Sequence, residues 1–213
     1  MYGISQSILG RVAEVASGKS FDIFLKEYLF DPLEMNETGF YLDKKTKKLL
    51  QPLYVSGESI EGFNEDGITR IGNMMTYRKE NQTPLGAEGI LTTSSDFSNF
   101  CQMLVNNGIY KGEKILNPES IKLMTTKFSE GYPEEYWGEK YFLGFYKGLS
   151  VYVLEDPSKM KLNAPSGIYG WSGLQNTFFW IDPENSIYGI FLSRSMTSGL
   201  PYEELLNVTY DNF

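Results

Sequence analysis

The chain has 213 residues, of which 41% are hydrophobic, enough to bury a core in one large domain or two small ones. Its formal net charge of −8 argues against nonspecific binding to nucleic acid or to an anionic membrane surface, because both require clustered Lys and Arg. The sequence has no histidine and one cysteine, which excludes a Ser-His-Asp triad and an internal disulfide. We expect no metal and no organic cofactor, and no apolar run approaches the roughly 20 residues that span a bilayer.

Two helices are predicted at the start of the chain. Apolar residues recur at helical spacing in residues 5–17, and Gly18 follows as a left-handed C-cap. A second helix is predicted from Ser20, as its N-cap, to the helix-stopping pair Asp31 and Pro32. We expect these two helices to pack on each other.

The middle of the chain changes from loops to a third helix. Frequent Gly and Pro between residues 36 and 90 predict loops with short strands. Residues 92–108 then form a helical pattern with serine caps, in which Phe97, Cys101 and Leu104 share one face. We interpret Cys101 as a core residue and not as a nucleophile, because no basic side chain is placed to lower its pKa.

The last third of the chain is predicted to be mainly strands. After a short helix that begins at Asn117 and Pro118, four runs rich in aromatic and β-branched residues read as strands: "FLGFYKGL", "SVYVLED", "QNTFFWID" and "SIYGIFLSR". A tight turn is predicted at 182–185 and a last short helix at 201–213. Helices followed by an antiparallel meander predict an α+β fold, with antiparallel β-sheet strands flanked by helices.

The order of five segments resembles a known family. The segments are "YGISQSILGRVAEVASGKSFDIFLKEYLFDPLEM", "GAEGILTTSSDFSNFCQMLVNNG", "ILNPESIKLMTT", "YFLGFYKG" and "GWSGLQNTFFWIDPENSIYGIFL". Together they are similar to serine hydrolases of the penicillin-recognising superfamily, in the branch of class C β-lactamases, D-Ala-D-Ala carboxypeptidases and related esterases. The resemblance covers residues 2 to about 194 and implies a partial β-lactamase/transpeptidase-like fold, in a single domain over residues 1–213.

Three motifs carry the chemistry of this superfamily. A Ser-x-x-Lys supplies the nucleophilic serine and a lysine, and a tyrosine motif helps to move the serine's proton. The third motif, Lys-Thr-Gly or a variant led by His or Trp, lies on a strand beside the cleft. The resemblance implies that Tyr2 is the catalytic tyrosine and that Trp171, Ser172 and Gly173 form the third motif. It also implies that the N–H of Leu174 helps to bind the oxyanion.

The sequence departs from the family pattern at all three motifs. Ile4 stands where the tyrosine motif commonly has Asn, and Trp171 replaces a cationic Lys, which favours the esterase-like variants over carboxylate-binding ones. Only Met1 precedes Tyr2, so no Ser-x-x-Lys lies ahead of the tyrosine. The one match, Ser158–Lys161, lies between two predicted strands, and we interpret it as a chance occurrence.

Two hypotheses follow, from different functional classes. In the first, the chain is the C-terminal portion of a β-lactamase-like serine hydrolase, without the early strands and the nucleophile helix. Its substrate is then a small molecule or a peptide, namely a β-lactam, a D-Ala-D-Ala peptide or an ester, and the chain is hydrolytically silent by itself. In the second, it is a non-catalytic binding or assembly module, completed by a homodimer partner or by a complementing N-terminal chain. A truncated gene is a third interpretation. The family hypothesis predicts that Tyr2 and Trp171 border one groove.

Overall fold

The computed structural model describes most of the chain, namely residues 4–51, 53–55, 58–60, 83–130, 143–194 and 201–212. Contacts between Cα atoms divide the chain into two units. The first unit comprises Met1–Phe100 with Arg194–Thr197, and the second comprises Cys101–Ser193 with Ser198–Phe213. The expectation of a single domain over residues 1–213 stays a prediction, and each unit is described by itself.

The first unit begins with helix α1, Ser5–Ser17, where the spacing of apolar residues predicts it. Gly18 ends the helix with a φ of 70°, and its N–H donates to the Glu14 carbonyl, which confirms the predicted C-cap. Four apolar side chains of this helix, here called the α1 stripe, are more than half exposed: Ile8, Leu9, Val12 and Val15. The α1 stripe is therefore largely uncovered within the described part of the chain.

Helix α2, Phe21–Leu25, follows and continues into one π-helical turn, Lys26–Phe30. Ser20 occupies the N-cap position as predicted, although its side chain makes no cap hydrogen bond in the described structure. Instead, the Glu14 carboxylate of α1 accepts a hydrogen bond from the Phe21 N–H at 2.9 Å. The two helices pack on each other as predicted, and a side chain from the first helix caps the second.

Loops and short elements follow, as the frequent Gly and Pro predict. A 3₁₀ helix spans Thr46–Leu49, and β1, Leu53–Val55, pairs with β2, Glu58–Ile60, in an antiparallel hairpin. Residues 61–82 lie outside the described part of the chain. The prediction of loops with short strands is therefore confirmed for the described residues between 36 and 60.

Helix α3, Ser94–Val105, forms where its apolar pattern predicts a helix. The hydroxyl of Thr93 accepts a hydrogen bond from the Asp96 N–H at 3.2 Å, so a threonine caps this helix and the predicted serine caps are wrong. Cys101 and Leu104 are 0% and 2% exposed, and burial raises the pKa of the Cys101 thiol to about 12. A thiol that hardly ionises is a core residue, as the sequence indicates.

The second unit then contributes a small hairpin and a helix. Strand β3, Ile109–Tyr110, pairs with β4, Glu113–Lys114, and helix α4 spans Pro118–Met124. Pro118 takes the first helical position as predicted. Asn117 sits at the N-cap, but its side chain makes no cap hydrogen bond in the described structure.

A six-stranded antiparallel sheet dominates the second unit. Its strands are β5 (Ser129–Glu130), β6 (Phe145–Lys147), β7 (Tyr152–Leu154), β8 (Tyr169–Gly173), β9 (Thr177–Asp182) and β10 (Ile187–Phe191). Each pairs with its neighbours in sequence, in the order β10-β9-β8-β7-β6-β5. This meander, with the helices before it and helix α5 (Tyr202–Tyr210) after it, confirms the predicted α+β fold. Among the helices described, none is long and apolar enough to cross a bilayer.

Alternation along the strands buries different side chains on the two faces of the sheet. One face joins helix α5 in a cluster whose largest members are Phe145, Tyr152, Phe178, Trp180, Tyr202 and Leu206. The opposite face carries Val153, Tyr169 and Ile181, which lie side by side in the register and are at most 3% exposed. The central strands are therefore buried on both faces.

The Trp180 indole lies over Gly189 of the edge strand β10. The two residues are direct partners in the register, and a Cβ added at Gly189 would overlap the indole ring. A glycine is therefore required at this position of β10 by packing, although its φ is ordinary. The indole covers backbone that would otherwise be open at this point of the strand.

Asp182 holds the turn between β9 and β10 and connects it to α5. Its side chain is fully buried and accepts four hydrogen bonds, from the N–H groups of Glu184 and Asn185, the Asn185 amide and the Tyr210 hydroxyl. Burial alone would raise the pKa of the Asp182 carboxyl, but these hydrogen bonds outweigh it and hold the pKa below its usual value. The ionised carboxylate is thus part of the fold.

We predict that Asp182→Asn lowers the free energy of unfolding by about 1–3 kcal/mol at pH 7, because an amide replaces a carboxylate that accepts four bonds. A lowered pKa stabilises the fold above the pKa of the unfolded chain, and this stabilisation is lost as pH falls through the folded pKa. The difference between wild type and variant should therefore shrink below about pH 4. Urea unfolding between pH 3 and 7 measures this difference in the free energy of unfolding. A difference that does not change with pH would contradict the conclusion that the buried Asp182 carboxylate is ionised.

Candidate functional site

The residues predicted to form the third motif lie at the end of the central strand β8. Trp171, Ser172 and Gly173 are its last three residues, and Leu174 begins the turn that follows. Tyr2 lies outside the described residues, so the predicted neighbourhood of Tyr2 and Trp171 stays a prediction. The candidate site is therefore built here from β8 and its surroundings in the second unit.

Strand β8 is paired differently on its two sides. On one side it pairs with β9 along its whole length, with Trp171 opposite Phe179 and Gly173 opposite Thr177. On the other side, β7 pairs only with Tyr169 and Gly170. Within the described part of the chain, the β7 side of residues 171–173 faces no strand. Backbone N–H and C=O groups on such an edge can pair with an extended substrate, and an N–H can donate to a developing oxyanion.

The turn after β8 is held by a side chain from the end of β10. It joins β8 to β9 through residues 174–176, with Asn176 in the left-handed region at a φ of 56°. The Ser193 hydroxyl donates a hydrogen bond of 2.8 Å to the carbonyl of Gln175. The Leu174 side chain is 61% exposed, so this residue contributes little to packing. Its backbone lies in a turn that is anchored independently of that side chain.

Trp171 is half-buried and packs on a fully buried ring. Its indole is stacked on the phenol ring of Tyr152, with centroids 4.8 Å apart and planes 4° from parallel. The five residues of β8 carry no charge, so this strand offers no cation to a substrate carboxylate. It offers an apolar aromatic surface instead, which suits an uncharged acyl or alkyl group.

Gly173 is constrained by its own hairpin. A Cβ at this position would overlap the Thr177 hydroxyl, which belongs to the paired residue on β9. A larger residue would require the Thr177 hydroxyl to rotate away, so packing within the hairpin also favours the glycine expected to bring substrate close to the strand. The sequence alone gives the glycine but not this second reason for it.

Ser158, the serine of the one Ser-x-x-Lys, lies in a short 3₁₀ helix, Pro157–Met160, and not in a plain loop between strands. Its hydroxyl donates a 2.6 Å hydrogen bond to the Asp156 carboxylate, and this bond lowers the pKa of Asp156. A carboxylate with a lowered pKa is a poor base for a serine hydroxyl. Lys161 follows the helix in the left-handed region, with a φ of 53°. The geometry therefore supports the interpretation of this motif as a chance occurrence.

Sequence reasoning missed two residues of the candidate site. Tyr152 was assigned only to a strand and Ser193 only to the end of one, yet they contact Trp171 and Gln175. No local pattern distinguishes them, because both contacts join residues far apart in the chain. Within the described residues, no group of three or more side chains is placed to hold a metal ion.

Comparisons with known proteins agree with the fold. A family model described as Beta-lactamase matches residues 3–207. An Escherichia coli protein named "Putative D-alanyl-D-alanine carboxypeptidase" is 23% identical over 202 residues, which cover 90% of this chain and 44% of that protein. The solved structure of EstCE1, a hydrolase with promiscuous acyltransferase activity, superposes with a TM-score of 0.78 at 21% identity, over 98% of this chain and 55% of that one.

A third neighbour is an octameric penicillin-binding protein homologue from Pyrococcus abyssi. It has a TM-score of 0.60 at 19% identity and covers 88% of this chain and 36% of that one. At these identities the structural likenesses show the fold alone. The chain spans about half the length of the proteins it matches.

We predict that residues 1–213 form no covalent adduct at Ser158 with a fluorescent penicillin or a fluorophosphonate, because the serine is bound to a weakly basic carboxylate. Intact-mass spectrometry measures this directly. Ser158→Ala is the matched control and should give the same spectrum as the wild type. A stoichiometric adduct that is mapped to Ser158, and is lost in the control, would contradict the geometry.

Proposed function

The chain belongs to the beta-lactamase family, and from that premise we propose that it forms the substrate-facing part of a serine hydrolase. The substrates of such an enzyme are β-lactams, D-Ala-D-Ala peptides or esters. Among these we favour esters with an uncharged acyl group. The observation that carries the proposal is the end of β8, residues 171–173, which pairs with β9 but with no described strand on its β7 side. It lies beside an indole that is stacked on Tyr152.

The chemistry of β8 supports the choice of ester. A lysine at the first position of the third motif would pair with a substrate carboxylate, as in penicillins and peptide C-termini. Trp171 stands there instead, and no residue of β8 is charged. An indole contributes to binding through apolar contact and stacking, neither of which requires a carboxylate.

The remaining catalytic roles are part of the same proposal. Tyr2 accepts the proton of the attacking serine and later returns it to the leaving group, as a phenolate that a nearby lysine keeps ionised can do. The N–H of Leu174 joins the N–H of that serine in binding the oxyanion. The one Ser-x-x-Lys in residues 1–213 has its serine bound to Asp156, so we propose that these residues do not turn over substrate by themselves.

The test uses the complete enzyme, meaning this chain together with the segment or partner that supplies a Ser-x-x-Lys ahead of Tyr2. We expect the complete enzyme to hydrolyse a short-chain nitrophenyl ester faster than a chromogenic cephalosporin. Trp171→Ala should lower kcat/KM for the ester about 10-fold, because the aromatic contact with substrate is lost. Steady-state kinetics with both substrates measure this.

The matched control is Phe191→Ala, which removes a half-buried ring from β10 of the same sheet. Both variants lose stability, but only the Trp171 variant should change kcat/KM per folded molecule. Equal kcat/KM in wild type and Trp171→Ala would overturn the role of Trp171. Absence of hydrolysis of every tested ester and lactam by the complete enzyme would overturn the function.

A second function, a binding or assembly module, is favoured by the α1 stripe. Exposed apolar side chains along one helix are the usual mark of a surface that another chain covers. The octameric neighbour gives a precedent within the fold for association of copies. In this proposal the chain completes its core with a second copy or with a separate N-terminal chain.

We predict that residues 1–213 self-associate at micromolar concentration and that Leu9→Lys with Val12→Glu abolishes the association, because charges would be buried at the interface. Sedimentation velocity measures the state of assembly. The matched control is Leu123→Lys, which changes another exposed leucine, on helix α4. A stable, folded wild-type monomer would contradict self-association, and a complex formed only with a separate chain would point to that partner.

A further inference from the structure

Trp171 depends on one neighbour for the position of its ring. The Tyr152 ring lies parallel to the indole at a centroid distance of 4.8 Å, which covers one face of Trp171. Tyr152 itself is 4% exposed, whereas Trp171 is half-buried. The pair therefore consists of a fixed inner ring and an outer ring that still reaches the surface.

The stack stands where backbone pairing between β7 and β8 ends. Tyr152 is the register partner of Gly170, which is the last residue of β8 to pair with β7. A Cβ at Gly170 would overlap the Phe179 carbonyl, so this position admits only glycine. From Trp171 onward, the described strands hold β8 through β9 alone. On the β7 side of Trp171, the stacking contact with the Tyr152 ring stands where backbone hydrogen bonds to β7 would otherwise continue.

The Tyr152 ring is itself confined by the aromatic cluster. Phe178 and Tyr202 line the same small depression as Tyr152 and Trp171. The rings of Phe178 and Tyr202 meet edge to face, with their centroids 5.2 Å apart. Tyr202 also contacts Phe145 at 6.0 Å, which ties helix α5 to β6. Since Tyr152 is buried within this cluster, it has little freedom to move aside when Trp171 is pushed.

We infer that Tyr152 is the positioning residue for Trp171: it holds the indole so that its free face and edge are presented to substrate at the open end of β8. The inference rests on the proposed function, since it assumes that Trp171 contacts the substrate. Tyr152 acts through Trp171 and does not itself touch the reacting atoms. The aromatic ring of Tyr152 provides the stacking surface, so phenylalanine at this position should keep the indole in place and an aliphatic side chain should not.

The experiment has two readouts, one of which is independent of activity. Residues 1–213 are labelled with 5-fluorotryptophan, and the ¹⁹F signal of Trp171 is assigned by its loss in Trp171→Phe. Tyr152→Leu should shift and broaden this signal, whereas Tyr152→Phe should leave it close to that of the wild type. In the complete enzyme, Tyr152→Leu should raise KM for the nitrophenyl ester about 3- to 10-fold with little change in kcat. Tyr152→Phe should restore the wild-type KM.

Phe191→Leu is the control, because Phe191 lies on β10 and packs against the same cluster through its stack on Phe178. A purely structural effect reduces the folded fraction and lowers apparent kcat in both variants without changing KM. Tyr152→Met, whose longer unbranched side chain can adapt to the space left by the ring, replaces the leucine variant if that variant does not fold.

The outcomes separate the inference from the proposed function. An unchanged ¹⁹F signal in Tyr152→Leu overturns the positioning role. So does an unchanged KM in Tyr152→Leu when Trp171→Ala raises KM. A disturbed signal with an unchanged KM in both Tyr152→Leu and Trp171→Ala leaves the stack supported and overturns the substrate contact of Trp171.

Discussion

The pairing of β8 with β9 is the constraint on which the candidate site depends. It runs along all of β8, whereas the pairing with β7 stops at Gly170. One side of β8 is therefore held along its whole length, whereas no described strand pairs with the other side at residues 171–173, the predicted third motif. The buried cluster on one face of the sheet helps to keep this strand in place, and one of its members, Tyr152, stacks on Trp171. An open strand end on a rigid sheet is well suited to bind a substrate through its backbone.

The sequence predicts the elements of this fold well, since most of them rest on local patterns. The period-two runs become β6, β7, β9 and β10, and Gly18 ends α1 as its left-handed φ requires. The caps were predicted less well. Ser20 and Asn117 sit at N-cap positions without bonding there, and Glu14 caps α2 from another helix. A cap supplied through tertiary structure leaves no signal at the helix it serves.

The candidate site is only partly readable from the sequence. Motif order identifies Trp171, Ser172 and Gly173, but the end of pairing at Gly170 and the stack on Tyr152 depend on how strands align. The same alignment gives Gly173 a packing role opposite Thr177. The family resemblance thus predicts which residues form the candidate site. The end of β7 pairing at Gly170 explains why the described strands leave one side of residues 171–173 uncovered. The family model extends over residues 3–207, so the likeness covers both units.

The indole of Trp180 over Gly189 has a consequence for how the sheet assembles. If β10 slid along β9 by one place during folding, the side chain of Tyr188 or Ile190 would have to enter a space that admits only hydrogen. Such a mispaired intermediate would also force the large ring out of the core. The contact between Trp180 and Gly189 therefore disfavours misaligned pairing of β9 with β10. We expect the aligned hairpin to form before α5 packs on it.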